Sequence, residues 1–166
     1  MGRESASTSH NITRLFVHIV WATWDRLPLL TPSIERLVLR CIEANAEGLG
    51  CRVVALNGMP DHVHLLLLMP PTLAVSDLMK QVKGSSSHLA NHSKESVALF
   101  RWQGSYGAFS VSRGDVDKVT EYVTTQKTRH QLGRLYLELE CAENPVDTLV
   151  SHGPGTPLQS GEPILT

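Results

Sequence analysis

Asp61-His62-Val63-His64-Leu65-Leu66-Leu67-Leu68-Met69 lies between two groups of turn residues, Gly58-Met59-Pro60 before it and Pro70-Pro71 after it. A short run that is apolar on both faces after its histidines reads as a central β-strand over His62 to Met69. Residues two apart on a strand share a face, so His62 and His64 project together while Val63 enters the opposite layer. Two neutral imidazoles on one side of a rigid strand can share a divalent metal. They can equally be strand-end histidines making ordinary hydrogen bonds, and a bare His-x-His does not choose between the two.

The neighbouring segments supply the rest of the fold. Upstream, Cys51 to Asn57 reads as a strand. Before it, Thr31-Pro32 opens a helix whose Ile34, Leu37, Val38, Cys41 and Ile42 recur at helical spacing until Gly48 and Gly50. Leu15 to Trp24 alternates, with Leu15, Val17, Ile19 and Trp21 facing one way and Phe16, His18 and Val20 the other, which predicts the first strand. Downstream, Thr72 to about His92 predicts a second helix with Leu73, Leu78, Met79, Val82 and Leu89 inward, kinked or broken at Gly84-Ser85-Ser86-Ser87. Phe100 to Val111 reads as a broken strand around Gly104 and Gly107. Asp115 to about Leu132 reads as a third helix with Val116, Val119 and Val123 inward, ended by Gly133. The order predicts an α+β, ferredoxin-like β-α-β-β-α-β sandwich: an antiparallel sheet with helices on one face, plus a C-terminal helix carrying Tyr122. Residues 1–11 are expected to form a disordered arm, 12–137 the domain, and 138–166 a flexible acidic tail.

Composition narrows the function classes. Of the 166 residues 42% are apolar and 19% charged, as in an ordinary globular protein with one core. The Leu65–Met69 run is too short to cross a bilayer and the N-terminus has no apolar signal core, so a cytoplasmic protein is expected. Three cysteines, Cys41, Cys51 and Cys141, are an odd number without metal-type spacing and read as reduced packing thiols. The formal net charge of −1 hides an asymmetry: from Glu138 onward there are five acidic residues and no Lys or Arg, which leaves +4 over residues 1–137. That balance permits nucleic-acid binding without arguing strongly for it.

A metal held by two histidines needs a further ligand. The third helix offers Tyr122 and Gln126, spaced i, i+4 beside the valine stripe. Either residue alone would be read as packing or as solvated surface.

Asp61-His62-Val63-His64 with its leucines and Glu121-Tyr122-Val123-Thr124-Thr125-Gln126 downstream together resemble the HUH superfamily, in which U is a bulky apolar residue. Within it the likeness is to the single-tyrosine transposases of insertion sequences (the insertion-sequence two-hundred-like group) and their REP-associated relatives. Leu15-Phe16-Val17-His18-Ile19-Val20-Trp21, Lys83-Gly84-Ser85-Ser86-Ser87 and Trp102-Gln103-Gly104-Ser105-Tyr106-Gly107-Ala108-Phe109-Ser110-Val111 agree in order and spacing, over about residues 12–134. The resemblance implies a DNA transposase in which His62, His64 and Gln126 bind Mg²⁺ or Mn²⁺. It implies that Tyr122 attacks a phosphate of single-stranded, hairpin-bearing DNA to leave a 5′-phosphotyrosine link and a free 3′-OH. It also implies a homodimer, with the tyrosine helix serving its own or the partner's histidines. The alternative is a hairpin-binding module without turnover.

Lys80, Lys83, Lys127, Arg129 and Arg134 are candidate phosphate contacts, with Lys94 and Arg101 beside them. Those on the last helix can equally form a solvated helix end, where cations are favoured anyway. Trp102, Tyr106 and Phe109 could stack on bases, although packing is the commoner role. Tyr106 and Tyr136 rank behind Tyr122 as nucleophiles. Asp61 either orients a metal-binding histidine or closes the turn. His18 reads as a packing histidine.

Overall fold

The computed structural model describes residues 12–95 and 98–131; the N-terminal arm, the acidic tail and the domain boundary expected at 137 lie outside the described residues. The elements run β1 (Leu15–Ala22), a short 3-10 turn (Trp24–Arg26), α1 (Pro32–Gly48), β2 (Arg52–Gly58), β3 (His62–Met69), α2 (Val75–His92), β4 (Gly107–Val111), α3 (Val116–Thr124) and α4 (Gln126–Gln131). The strands form one antiparallel sheet in the order β2-β3-β1-β4. This is the expected α+β arrangement, with β3 and β1 in the centre.

Strand alternation sorts the side chains into two layers. Ile19, Trp21, Val63, Leu65 and Leu67 meet Ile34, Val38 and Ile42 of α1 and Leu78, Met79 and Val82 of α2. Phe16, Ala55 and Leu66 meet Val116, Val119, Tyr122 and Val123 of α3 on the other face. The tyrosine-bearing helix therefore covers the sheet face that α1 and α2 leave open.

Four expectations change. The serine run does not break α2, which is continuous. Ser85, Ser86 and Ser87 turn their hydroxyls back onto the carbonyls of Gln81, Val82 and Gly84, and the buried Ser86 also accepts from Trp102 Nε1 at 2.9 Å. Its small side chain gives the indole room at the core. Leu89 points outward, and Ser86 and Ala90 take the buried positions on that helix. The third helix stops at Thr124 and resumes at Gln126. Asn57 Nδ2 donates to the carbonyls of Val123 (2.9 Å) and Thr124 (3.3 Å), which the next helical turn would otherwise use. Thr124 and Thr125 hydroxyls bond back to Thr120 and Glu121 and reinforce the stop. The expected fourth strand is confined to Gly107–Val111, preceded by a single bridge between Thr23 and Trp102.

Cys41 and Cys51 are free thiols, and burial raises the pKa of Cys51, as suits packing cysteines; Cys141 lies outside the described residues. Among the described residues no helix is long and apolar enough to cross a membrane.

Ile42 is wholly buried between α1 and the sheet. Ile42→Ala is expected to cost about 2–5 kcal/mol, read as a lower urea midpoint at unchanged slope. Leu89→Ala, on the exposed side of α2, is expected to stay within about 0.5 kcal/mol.

Candidate active site

The turn before β3 is latched to the end of β1. Thr23 donates its backbone N–H to the Asp61 carbonyl at 2.8 Å and its hydroxyl to the same oxygen at 3.1 Å. Met59 N–H donates to the His62 carbonyl at 2.8 Å. The first histidine thus starts from a fixed backbone. Asp25 and Arg26 both have φ of 51°, a left-handed pair that reverses the chain and brings Arg26 back to Asp61.

Asp61 is then shared. Its Oδ2 accepts from Arg26 Nη1 at 3.1 Å and its Oδ1 lies 2.7 Å from His62 Nδ1. Burial by itself would raise the Asp61 pKa. The hydrogen bond and charge of His62, then those of Arg26, outweigh that and bring it from 3.8 to about 2. A carboxylate can only accept, so Nδ1 of His62 carries a proton, and whenever the ring is neutral its buried Nε2 carries the lone pair. Of the two roles open to Asp61 in the sequence, the structure shows both: it closes the turn and it orients His62.

His64 is wholly buried. Its Nε2 lies 2.9 Å from Gln126 Nε2 and its Nδ1 lies 3.1 Å from His18 Nε2. An amide nitrogen has only protons to give, so His64 accepts at Nε2 and holds its own proton at Nδ1. Both imidazoles therefore have the same tautomer. Their ring centroids are 5.0 Å apart.

α3 and α4 bring the other two side chains to the same place. The Tyr122 ring stands edge-on to His64 with centroids 5.9 Å apart, and Tyr122 and Gln126 are both fully buried. Tyr122 and Gln126 do not share one continuous helix; they flank the break that Asn57 imposes. Lys127 Nζ reaches Glu35 of α1 at 2.6 Å. Gly58 makes room for that contact, since a Cβ there would lie 3.1 Å from Glu35 Cγ. His62, His64, Tyr122 and Gln126 thus converge within a single chain.

The candidate phosphate contacts are scattered. Lys80 is exposed on α2 beside an open cleft of about 450 Å³ that Lys83, Arg101, Trp102 and Tyr106 also line, in the other layer. Lys83 donates to the carbonyls of Gln103, Gly104 and Ser105, so it braces that loop. Lys127 is half-exposed and paired with Glu35, a contact of little energetic weight at a surface. The Arg129 side chain and the whole of Arg134 and Tyr136 lie outside the described residues. Trp102 is core, edge-on to Trp21 and Phe100. Tyr106 is half-buried at the cleft and packs against the α1–α2 core.

His18 is buried and hydrogen-bonded, as the sequence led one to expect, and its partner is His64. The parity of His18 with Phe16 and Val20 put it on the right face, but only the β1–β3 register, which opposes Val20 to His64, makes it a diagonal neighbour of His64.

Comparison with known proteins returns DNA transposases by sequence and by fold, and this chain is a DNA transposase. Residues 11–126 match the family described as "Transposase IS200 like", and the chain belongs to that family. The ISDra2 transposase TnpA of Deinococcus radiodurans is 27% identical over 120 residues, 69% of this chain and 86% of that protein. The transposase for insertion sequence element IS200 of Salmonella typhimurium is 32% identical over 87 residues, 52% of this chain and 57% of its own length. A crystal structure of a Deinococcus radiodurans transposase superposes with a TM-score of 0.55 at 26% identity, covering 76% of this chain and 98% of that one. A REP-associated tyrosine transposase, solved bound to a REP hairpin, superposes at 0.57 with 15% identity over 98% and 100% of the two chains, a likeness of fold.

The depressed Asp61 pKa sets a pH dependence. The stabilisation from its carboxylate is complete above the unfolded value of about 3.9 and is lost as pH falls through about 2. Asp61→Asn is expected to lower the urea midpoint at neutral pH, with the gap to the native protein narrowing across that acid window.

Proposed function

We propose that this transposase cuts and rejoins single-stranded, hairpin-bearing DNA through a 5′-phosphotyrosine intermediate on Tyr122. The observation that carries the reading is the approach of α3 and α4 to His64: Gln126 at 2.9 Å and the Tyr122 ring at 5.9 Å between centroids. The Tyr122 oxygen forms the bond to phosphorus, the bond from phosphorus to the 3′ oxygen breaks, and the phenol's proton is balanced by the 3′-OH released. Return attack by a 3′-OH on the tyrosyl ester joins strands and restores the phenol, so no external energy source is required. Hairpin DNA is the chosen substrate class because the REP-associated neighbour of the same fold was solved with one.

Two imidazole Nε2 atoms and an amide oxygen, Oε1 of Gln126 after a half-turn of its carboxamide, could share a divalent cation, and we propose Mn²⁺ or Mg²⁺ with phosphate and water oxygens completing its shell. Among the described residues no trio of His, Cys, Asp and Glu can hold a metal, so the third donor comes from outside those residue types. When bound, the cation would stabilise the charge that builds on the phosphate oxygens. With neutral ligands only, affinity for the cation is expected to rise further when a DNA phosphate joins them.

Each chain brings Tyr122 to its own histidines, so we assign the chemistry in cis, with one complete site per subunit in the homodimer. Complete burial of Tyr122 is the observation that favours the second reading, a hairpin-binding module without turnover. For turnover, α3 and α4 must shift enough to admit a phosphate.

Incubating the protein with Mn²⁺ and labelled hairpin-bearing single strands is expected to give a denaturant-resistant protein–DNA band. Tyr122→Phe should lose it while retaining a gel shift; an adduct that survives moves the nucleophile elsewhere, and no adduct with the native protein under any divalent metal favours the binding module. Mixing Tyr122→Phe with His64→Ala protein is expected to leave the assay silent, whereas recovered adduct would put the tyrosine in trans.

A further inference from the structure

We infer that His18 is a positioning residue for the metal centre: it accepts the Nδ1 proton of His64 and so keeps Nε2 of His64 available as a ligand. The inference rests on the metal centre proposed above. His18 Nε2 lies 3.1 Å from His64 Nδ1, both rings are fully buried, and their planes are within 8° of parallel with centroids 5.3 Å apart. Nearly coplanar rings meeting nitrogen to nitrogen are the geometry of an N–H···N hydrogen bond rather than of face-to-face packing. Phe109 of β4 stacks against His18 with centroids 6.1 Å apart and limits its tilt.

The two histidines of β3 are thereby handled alike by unlike partners. Asp61, on the adjacent turn, takes the Nδ1 proton of His62. His18, on the neighbouring strand, takes that of His64. A ligating imidazole needs its other nitrogen to carry the proton, and the acceptor of that proton fixes both tautomer and ring orientation. In the buried interior, a His64 N–H left without an acceptor would favour the wrong tautomer, with the proton on the nitrogen that must bind metal. His18 is not itself a ligand: its Nε2 faces the Nδ1 side of His64, away from Nε2. No trio of His, Cys, Asp and Glu among the described residues is placed to hold a metal, which agrees.

The test is Mn²⁺ titration by calorimetry of the native protein, His18→Phe and His18→Gln, with thermal unfolding of each. Phe preserves the ring's bulk without an acceptor, and Gln places an amide oxygen close to the Nε2 position. His18→Phe is expected to bind Mn²⁺ roughly 10–100-fold more weakly, and His18→Gln to recover most of that loss. In metal-free native protein, ¹⁵N spectra of His64 are expected to show the Nδ1–H tautomer. Native-like affinity in His18→Phe, or a Gln variant as weak as the Phe variant, overturns the inference. Should His18→Phe fail to fold, the native tautomer decides: Nε2–H on His64 overturns the inference and Nδ1–H upholds it. Absence of Mn²⁺ binding by the native protein removes the metal centre itself, and this role of His18 with it, whereas native binding with an indifferent His18→Phe removes only the present inference.

Discussion

The antiparallel register of β3 against β1 constrains everything else in the molecule. Val20 opposes His64 and Ala22 opposes His62, and alternation then sends Val63, Leu65 and Leu67 to α1 and α2 while His62, His64 and Leu66 face α3. A slip of one residue would exchange the two sets, placing two imidazoles in an apolar layer and leucines in a polar site. Leu65, Leu66 and Leu67 are all fully buried, so such a slip is opposed from both sides of the sheet. The register that builds the core is the register that builds the site.

The second layer is thin, and polar contacts make up for its small apolar area. α3 buries a few side chains over Phe16, Ala55 and Leu66. Beyond them, Asn57 on β2 takes the last carbonyls of α3, Gln126 meets His64, and Lys127 reaches Glu35. These contacts are few, and all but the buried Gln126–His64 pair are partly exposed, so they can open at smaller cost than the α1–α2 layer. A helix carrying a buried tyrosine on such contacts joins a rigid strand to an element able to move, as the attack proposed for Tyr122 would require.

Electrostatics in the site are arranged around neutrality. Among the described residues Asp61 is the carboxylate paired with a site histidine, and Arg26 balances it. His62, His64, His18, Tyr122 and Gln126 supply donors and acceptors without permanent charge. Were a cation bound there as proposed, these neutral side chains would leave most of its charge to be balanced by a phosphate. Of the candidate phosphate contacts outside the site, Lys80 and Lys83 stand on α2 and Lys127 at the start of α4.

Much of this was legible in the residues. Turn signals, strand alternation and helical spacing placed β1, α1, β2, β3 and the core of α3 nearly where they lie, and resemblance to a family joined His62, His64, Tyr122 and Gln126. What was not legible depended on partners distant in the chain. The serine run looked like a break because its hydroxyl acceptors and Trp102 cannot be read from local composition. The stop at Thr125 was hidden because the amide that enforces it, on Asn57, lies 66 residues from Val123. The three loop carbonyls that Lys83 meets, on Gln103, Gly104 and Ser105, were equally hidden from the local sequence. Sequence by itself determined the alternation, and with it which residues share a face. Only the tertiary structure decided which of those residues touch, because hydrogen bonds such as that from His64 to His18 depend on strand register and distance, neither of which a one-dimensional pattern contains.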